Sequence, residues 1–583
     1  MKRISLTKAV KLMAKAYKEE REKAEKTLGK VEVIGGPIPV SGAVGMQGVV
    51  GEAGELAGRE KFKTIGTTKG IAITEVPRMP YKPPEVDIRT INIVYPLIPK
   101  KPVGAPFAAA NIRWSASDNA LVYYLLEAKL NENEKKLLNM IKATLIERLD
   151  IDFTTLRKEE AKEYLKKRFE EAVATLAPSL PKDRQAVLLY YIERDFIGLE
   201  RIEPLIQDPE IEDISCDGVG VPIYIYHRNP LIGSVKTNVM FETAEELDKF
   251  VTKVAQRCNK TISVAQPLLD ASLPDGSRVQ ATLGTDIARR GSNITIRKFT
   301  EIPLTPVHLI RYKTLDPRLA AFLWLTIEYG RSILISGGTA SGKTSLLNAI
   351  SLFIRPEMKI VSIEDTAELR LPHTHWVPHV ARKPIAELEG KKLGEVDLFE
   401  LLRSSLRQRP DYLIVGEVRG KEAFVLFQQI STGHPSLATI HADNMERLID
   451  RLTTQPISLP PSLLESLDLI VFIIRIKHGN VYVRRITGIY EITGFDRAAN
   501  VPIINQIFKW NPTNDKYETV NPSFVLKKIV EQYGISEAVL LSEIAQRTKI
   551  IEWMVENNID NYKDVARIMK VYYTEPERLL DVI

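Results

Sequence analysis

A chain of 583 residues that is 44% hydrophobic and 26% charged has an ordinary globular composition and the length of about three or four domains. Its net charge of +6 lies wholly in residues 1–30, which hold ten Lys/Arg and four Glu. A basic body that coats nucleic acid is therefore not indicated, but a basic tail is. The two cysteines, Cys216 and Cys258, form no C-x-x-C pair, so a disulfide framework and a cysteine zinc site are unsupported and a reducing cytoplasm is expected.

No apolar segment of a secretory signal follows the basic start. Val33 to Gly51 is uncharged and long enough to span a bilayer, but six glycines and two prolines leave it too little apolar surface to insert. Residues 1–30 read as a basic helix with Leu6, Val10, Met13 and Tyr17 on one face, either a surface for anionic lipid or a partner, or a solvated tail. Residues 35–58 are glycine-rich and read as a flexible linker. Eight prolines between 77 and 106 suggest an extended connector, which closes a first segment at 1–110.

Ordered structure is expected from about Asn111. Ile112-Arg113-Trp114 and Leu121 to Leu126 flank a turn-like Ser115 to Asn119, which predicts a hairpin. Helical patterns at 132–150, 158–176 and 183–197 complete a hairpin-and-helix subdomain at 111–204. Short strands, among them Ile223 to Tyr226, and a helix near 243–258 predict a small α/β domain at 205–300. A linker is expected at 301–315.

From 316 to 583 strands and helices alternate, which predicts a largely parallel, doubly wound sheet. Its strands are Ile333 to Ser336, Lys359 to Ile363, Tyr412 to Val415, Leu437 to Ile440 and Leu469 to Ile474. The last stretch of about 60 residues reads as small helices without a chemical motif.

The chemistry begins where the first of these strands meets its helix. Gly337-Gly338-Thr339-Ala340-Ser341-Gly342-Lys343-Thr344, followed by Ser345, is a G-x-x-x-x-G-K-T phosphate loop in its required context. Its N–H groups and the helix dipole would cradle the phosphates of ATP. Lys343 would reach the β- and γ-phosphates, and the Thr344 hydroxyl would ligate Mg²⁺.

Two further strands end in acid, at Glu364-Asp365 and at Glu417. Acids at the carboxyl ends of such strands can activate water or hold the water shell of Mg²⁺, although an acid there can also cap a helix. Gly416 stands where a metal-associated Asp is usual, so Glu364 or Asp365 is expected to share that duty.

His434 and His441 flank the strand after Glu417, where a histidine can sense phosphate or orient a carboxylate. His373, His375 and His379 cluster around Trp376 and read as loop residues rather than metal ligands. Arg278 and Arg297, in the small α/β domain, are either surface charge or fingers delivered to an ATP site from outside it.

Four segments together resemble the secretion ATPase superfamily, which powers type II secretion, type IV secretion and type IV pili. They are the phosphate loop, the acid box Ile363 to Leu369, the Walker B-like run Leu406 to Gly420, and the histidine box at 431–442. Pro204 to Ile214, Pro222 to Arg228 and Leu273 to Arg278 look like the archaeal pilus and archaellum branch. In that family the acid before Glu417 is also missing, so Gly416 matches.

The resemblance implies a cytoplasmic homohexamer in which a PAS-like domain moves against a RecA-like ATP domain. It implies that Arg278 and Arg297 meet nucleotide phosphates or a neighbouring subunit's site. It also implies an inner-membrane platform protein as partner, with pilin-like subunits served indirectly and the membrane met peripherally. A type IV secretion or DNA-transfer motor is the alternative machine, and a scaffold with little turnover is the non-motor alternative. The four-cysteine zinc module of many type II relatives is absent from the sequence.

Overall fold

The computed structural model describes residues 63–64, 88–100, 104–148, 158–229, 231–284, 286–299, 303–382, 386–388, 391–478 and 481–580. The basic helix expected at 1–30 and the glycine-rich linker at 35–58 lie outside the described residues. The chain divides into two compact units, Pro80–Thr300 with Lys477–Tyr482, and a larger one holding Glu301–Ile476 and Val483–Ile583. Among the described residues no helix is long and apolar enough to cross a membrane. Both cysteines are free.

The first described element is a two-residue strand, β1 (Lys63–Thr64), which belongs to the sheet of the larger unit. The smaller unit is built on nine strands. They are β2 (Asn92–Ile98), β3 (Ala108–Ser115), β4 (Ala120–Glu127), β5 (Ile211–Cys216), β6 (Tyr224–His227), β7 (Ser234–Thr237), β8 (Leu268–Ser272), β9 (Arg278–Thr282) and β10 (Asn293–Arg297). Their order in the sheet is β2-β3-β4-β7-β6-β5-β10-β9-β8.

Helices α1 (Glu132–Arg148), α2 (Lys158–Leu176) and α3 (Lys182–Phe196) share a core of their own around Ile141, Leu165 and Leu188. A short α4 (Glu203–Gln207) precedes β5, and α5 (Ala244–Arg257) buries Leu247, Phe250, Val251 and Val254 against the sheet core. Thr243 caps α5 by accepting the N–H of Glu246.

This sheet corrects two expectations. Residues 92–98 are a strand, not connector, and Pro96 is tolerated there because β2 is an edge, where a missing N–H costs no ladder bond. The expected hairpin of β3 and β4 shares one sheet with β5–β10, so residues 111–204 and 205–300 are not separate. The join is the parallel pairing of β4 with β7, Val122 opposite Lys236. Fully buried Asp208 tightens it, accepting the hydroxyls of Tyr95 on β2 and Tyr123 on β4 at 2.7 Å each.

In the larger unit the segment expected as a linker at 301–315 holds a helix, α6 (Pro306–Arg311), whose Val307 and Leu309 join the main core. Helix α7 (Pro317–Glu328) begins with Pro317 behind an Asp316 cap and is apolar almost all round, as befits a helix buried on every side. Ten of its residues are buried, and each large aliphatic side chain so buried contributes about 1.5–3 kcal/mol.

The strands that follow, in chain order with their helices, are β11 (Ile333–Ser336), α8 (Lys343–Ser351), β12 (Ile360–Glu364), β13 (Trp376–Val380), the short hairpin β14 (Ala386–Leu388) and β15 (Lys391–Leu393), α9 (Leu398–Ser405), β16 (Tyr412–Val418), α10 (Glu422–Ser431), β17 (Ser436–Ile440), α11 (Met445–Thr453), β18 (Leu469–His478), β19 (Val481–Asp496), β20 (Val501–Asn511) and β21 (Lys516–Thr519).

The sheet runs β1-β20-β19-β18-β11-β17-β16-β12-β13, with β21 also on β20. From β18 to β13 every pairing is parallel. Beyond β18 the antiparallel pairs β19–β20 and β20–β21 extend the sheet, whose stretch from β18 to β13 is parallel as expected. The strand residues of β11, β12 and β17 are all buried, which hides the alternation a one-sided sheet would show.

Four helices close the chain: α12 (Phe524–Tyr533), α13 (Glu537–Glu556), α14 (Tyr562–Thr574) and α15 (Pro576–Leu580). They are not all small, for α13 has 20 residues. Arg547 of α13 is buried, pairs with Glu328 of α7 and Glu543, and lies over the rings of Trp324 and Tyr572.

Candidate active site

Parallel pairing of β11, β17, β16 and β12 sends four loops out of the same edge of the sheet. The loop after β11 holds Gly337 to Gly342 and passes into α8 at Lys343, with Thr344 and Ser345 in the first turn. Gly342 has φ +94°, a left-handed conformation that favours glycine. A Cβ on Gly337 would lie 2.1 Å from the carbonyl oxygen of Ile473 on β18, so only glycine lets the loop pass there. Ser341 Oγ donates to Gly338 O within the loop at 2.9 Å. Lys343 Nζ donates to Gly337 O and Gly338 O at 2.9 and 2.8 Å. Burial pulls the Lys343 ammonium below its ordinary value, against the opposing pull of Glu417 and Asp443.

Side chains tie the neighbouring strand ends together. Ser336 Oγ donates to Ala442 O at 2.7 Å, and Thr439 Oγ1 to Gly416 O at 2.6 Å. Glu417 thus comes out of β16 beside the loop. Its Oε2 accepts from Arg419 Nε at 3.0 Å and Nη2 at 2.6 Å. The third arm of the same guanidinium, Nη1, donates to Asp365 Oδ2 at 3.0 Å. One arginine therefore bridges the acid after β12 and the acid of β16.

Glu364 is placed differently. Its carboxylate is buried, and Oε1 accepts the backbone N–H groups of Glu368 and Leu369 at 2.9 and 3.0 Å. It organises the acid-box turn by holding those two N–H groups. A Cβ at Gly416 would stand 3.2 Å from its Cγ, which is why β16 carries glycine beside it.

The histidines separate. His441 follows β17 at the phosphate-loop edge and lines a cavity of about 410 Å³ with Asp443, Arg447, Asp450, Arg451 and Thr454. His434 precedes β17, at the opposite edge of the sheet, with Nδ1 3.2 Å from the Thr432 hydroxyl. Seven extended residues put it roughly 20 Å from His441, so it does not join this site. His379 lies on β13 rather than in a loop and meets Gln408, while His373 bonds Ile354 O. Among the described residues no group of three or more His, Cys, Asp or Glu is placed to hold a metal ion.

In the smaller unit Arg278 and Arg297 face each other directly across β9 and β10, and Asp213 lies opposite Arg297 on its other side. Like charges in opposed positions repel, and Asp213 on the neighbouring strand offers Arg297 an opposite charge.

Three residues near the phosphate loop carry no role in the sequence reading. Arg419 stands two residues after Glu417, and that strand spacing is the signal that puts both on one face. Arg484 of β19 donates to Ala340 O at 3.3 Å, and Asp443 lies against Gly338. No local pattern marks either.

Residues 200–510 match the family described as "Type II/IV secretion system protein". The chain belongs to this family. It is an ATPase of the secretion superfamily, and ATP is its substrate. An uncharacterized protein of Methanocaldococcus jannaschii is 38% identical over 397 residues, 67% of this chain and 70% of that protein. The type IV secretion system protein PtlH of Bordetella pertussis is 34% identical over 345 residues, 54% of this chain and 97% of PtlH. The crystal structure of the VirB11 ATPase of the Brucella suis type IV secretion system is 24% identical, with a TM-score of 0.26, and covers 51% of this chain and 96% of VirB11.

Proposed function

We propose that this secretion ATPase is the hexameric motor that assembles an archaeal type IV pilus-like or archaellum-like filament. The observation that carries the reading is the convergence of the phosphate loop, Asp365, Glu417 and His441 on one sheet edge in a chain whose upstream motifs resemble the archaeal branch. Lys343 and the loop N–H groups hold the phosphates. Glu417 accepts the proton of the attacking water as the bond to the leaving ADP breaks. The Thr344 hydroxyl and Asp365 offer the hard oxygen donors that suit Mg²⁺, which when bound neutralises phosphate charge. Arg278 and Arg297, on a PAS-like module at β5–β10, supply positive charge to a nucleotide. An inner-membrane platform protein turns the resulting domain motion into movement of pilin-like subunits, so the ring meets the cytoplasmic membrane peripherally. Residues 1–30 give this reading a basic segment for contact with anionic lipid.

Mixed rings test it. Arg278→Ala or Arg297→Ala protein is inactive alone but recovers phosphate release when mixed with Glu417→Gln protein, because some interfaces pair an intact arginine with an intact acid. Such fingers contribute roughly 10³–10⁵ in rate. Full activity of both arginine variants by themselves removes their role. The 34% identity to PtlH across 97% of that protein favours a second reading, a type IV secretion or DNA-transfer motor. Copurification from native membranes decides between them, since a pilus motor brings down a polytopic platform protein and pilin-like subunits.

A further inference from the structure

Arg419 holds both acids that the proposed chemistry needs free. Two of its N–H groups fall on the single oxygen Oε2 of Glu417, and a third falls on Asp365. Its backbone is pinned, for Arg419 N and Gly420 N both donate to Glu422 Oε1, at 2.5 and 2.7 Å. Any change of partner must therefore come from the side chain alone. That side chain is 53% exposed and has room to turn. Arg419, Glu417, Asp443 and Arg451 all act electrostatically on Lys343, and Asp443 also lies against Gly338 of the phosphate loop. A triphosphate entering there offers the planar guanidinium two anionic oxygens for a bidentate pair of hydrogen bonds, which is the partner arginine prefers.

We propose that Arg419 is a displaceable counter-ion: it holds Glu417 and Asp365 together until the phosphates of bound ATP draw its guanidinium away and leave the two acids to water and metal. Breaking the Arg419–Glu417 pair is then part of the cost of binding ATP. The acids are released only when a triphosphate is present, which couples occupancy to readiness for hydrolysis. This inference rests on the reading of Lys343 and Glu417 given above.

A double-mutant cycle on nucleotide binding tests it, with a fluorescent non-hydrolysable ATP analogue and fluorescent ADP titrated into the full chain. Glu417→Gln removes the competing charge, and ATP-analogue affinity rises about tenfold. Arg419→Gln lowers that affinity, and more for the ATP analogue than for ADP. In the double variant the gain from Glu417→Gln vanishes. Arg419→Lys keeps the charge but cannot span two carboxylates, and it falls between Arg and Gln. Additive effects in the cycle, or unchanged affinity in Glu417→Gln, overturn the proposal and leave Arg419 a static tie. Lys343→Ala serves as the reference and weakens both nucleotides. If it weakens neither, the phosphate-loop reading itself fails and this inference goes with it.

Discussion

The carboxyl ends of β12 and β16 lie side by side in one sheet, and each places a glutamate there, yet the two are held in opposite ways. Glu364 is buried and receives two backbone N–H groups from the turn that follows it. Those donors cannot leave without unfolding the turn. Glu417 is partly exposed and receives a side-chain guanidinium that can rotate away. The same residue type at the same edge thus becomes a fixed strut in one loop and a releasable group in the next.

The largest expected effect divides the two by rate. Glu417→Gln binds nucleotide at least as tightly as the parent chain but loses about 10²–10⁴-fold in phosphate release, since an amide cannot accept the water's proton. Glu364→Gln keeps an oxygen for the two N–H groups and loses far less. Equal losses in steady-state turnover would erase the distinction, and a larger loss in Glu364→Gln would reverse it.

The difference between these glutamates was not legible in the sequence, and the reason is physical. The phosphate loop is a local object, so strand, glycines, Lys343 and helix could be read in one pass. The acids could be found because strand ends are local too. What holds each acid is not local, since Arg419 reaches to Asp365 across 54 residues. The two histidines mislead for a related reason. Seven residues apart in sequence, they look like one cluster, but an extended strand sets them at opposite edges of the sheet. In the smaller unit, β2 was hidden by Pro96, and the pairing of β4 with β7 joins Val122 to Lys236 with no periodic trace. The apolar runs of β11, β12 and β17 were clear because both faces are covered.

The second expected effect divides the same pair by stability. Glu364→Ala leaves the N–H groups of Glu368 and Leu369 without their buried acceptor, which costs about 2–3 kcal/mol. The midpoint of thermal unfolding then falls by on the order of 3–5 °C for a unit of this size. Glu417→Ala, at a partly exposed site and relieved of an ion pair, changes stability by about 1 kcal/mol or less. Calorimetry of the two variants checks this, and a comparable fall in both would mean that Arg419 is as structural a partner as the turn is.

The smallest effect comes from a carboxylate–arginine pair in the same unit that has no reaction to serve. Asp515 receives Arg485 Nε at 2.7 Å and Nη2 at 3.0 Å, one on each oxygen, and Trp510 Nε1 at 3.0 Å on Oδ1. Arg485 is buried, so this pair, unlike that of Arg419, has nowhere to turn. Burial alone would raise the Asp515 carboxyl, but the hydrogen bonds and charge of Arg485, with Trp510 and Lys313, push it down to about 2. A carboxylate with a depressed native pKa contributes stability that is complete above its unfolded value, about 3.9, and is lost as the pH falls through about 2. Asp515→Asn is therefore less stable than the parent chain at pH 5, and the gap between them narrows steadily from about pH 4 downward. Urea unfolding of both proteins at a series of pH values measures the gap. A gap that stays constant over that range would show that Asp515 acts by shape and not by charge. The fixed pair would then lose its value as the static reference against which the movement of Arg419 is judged.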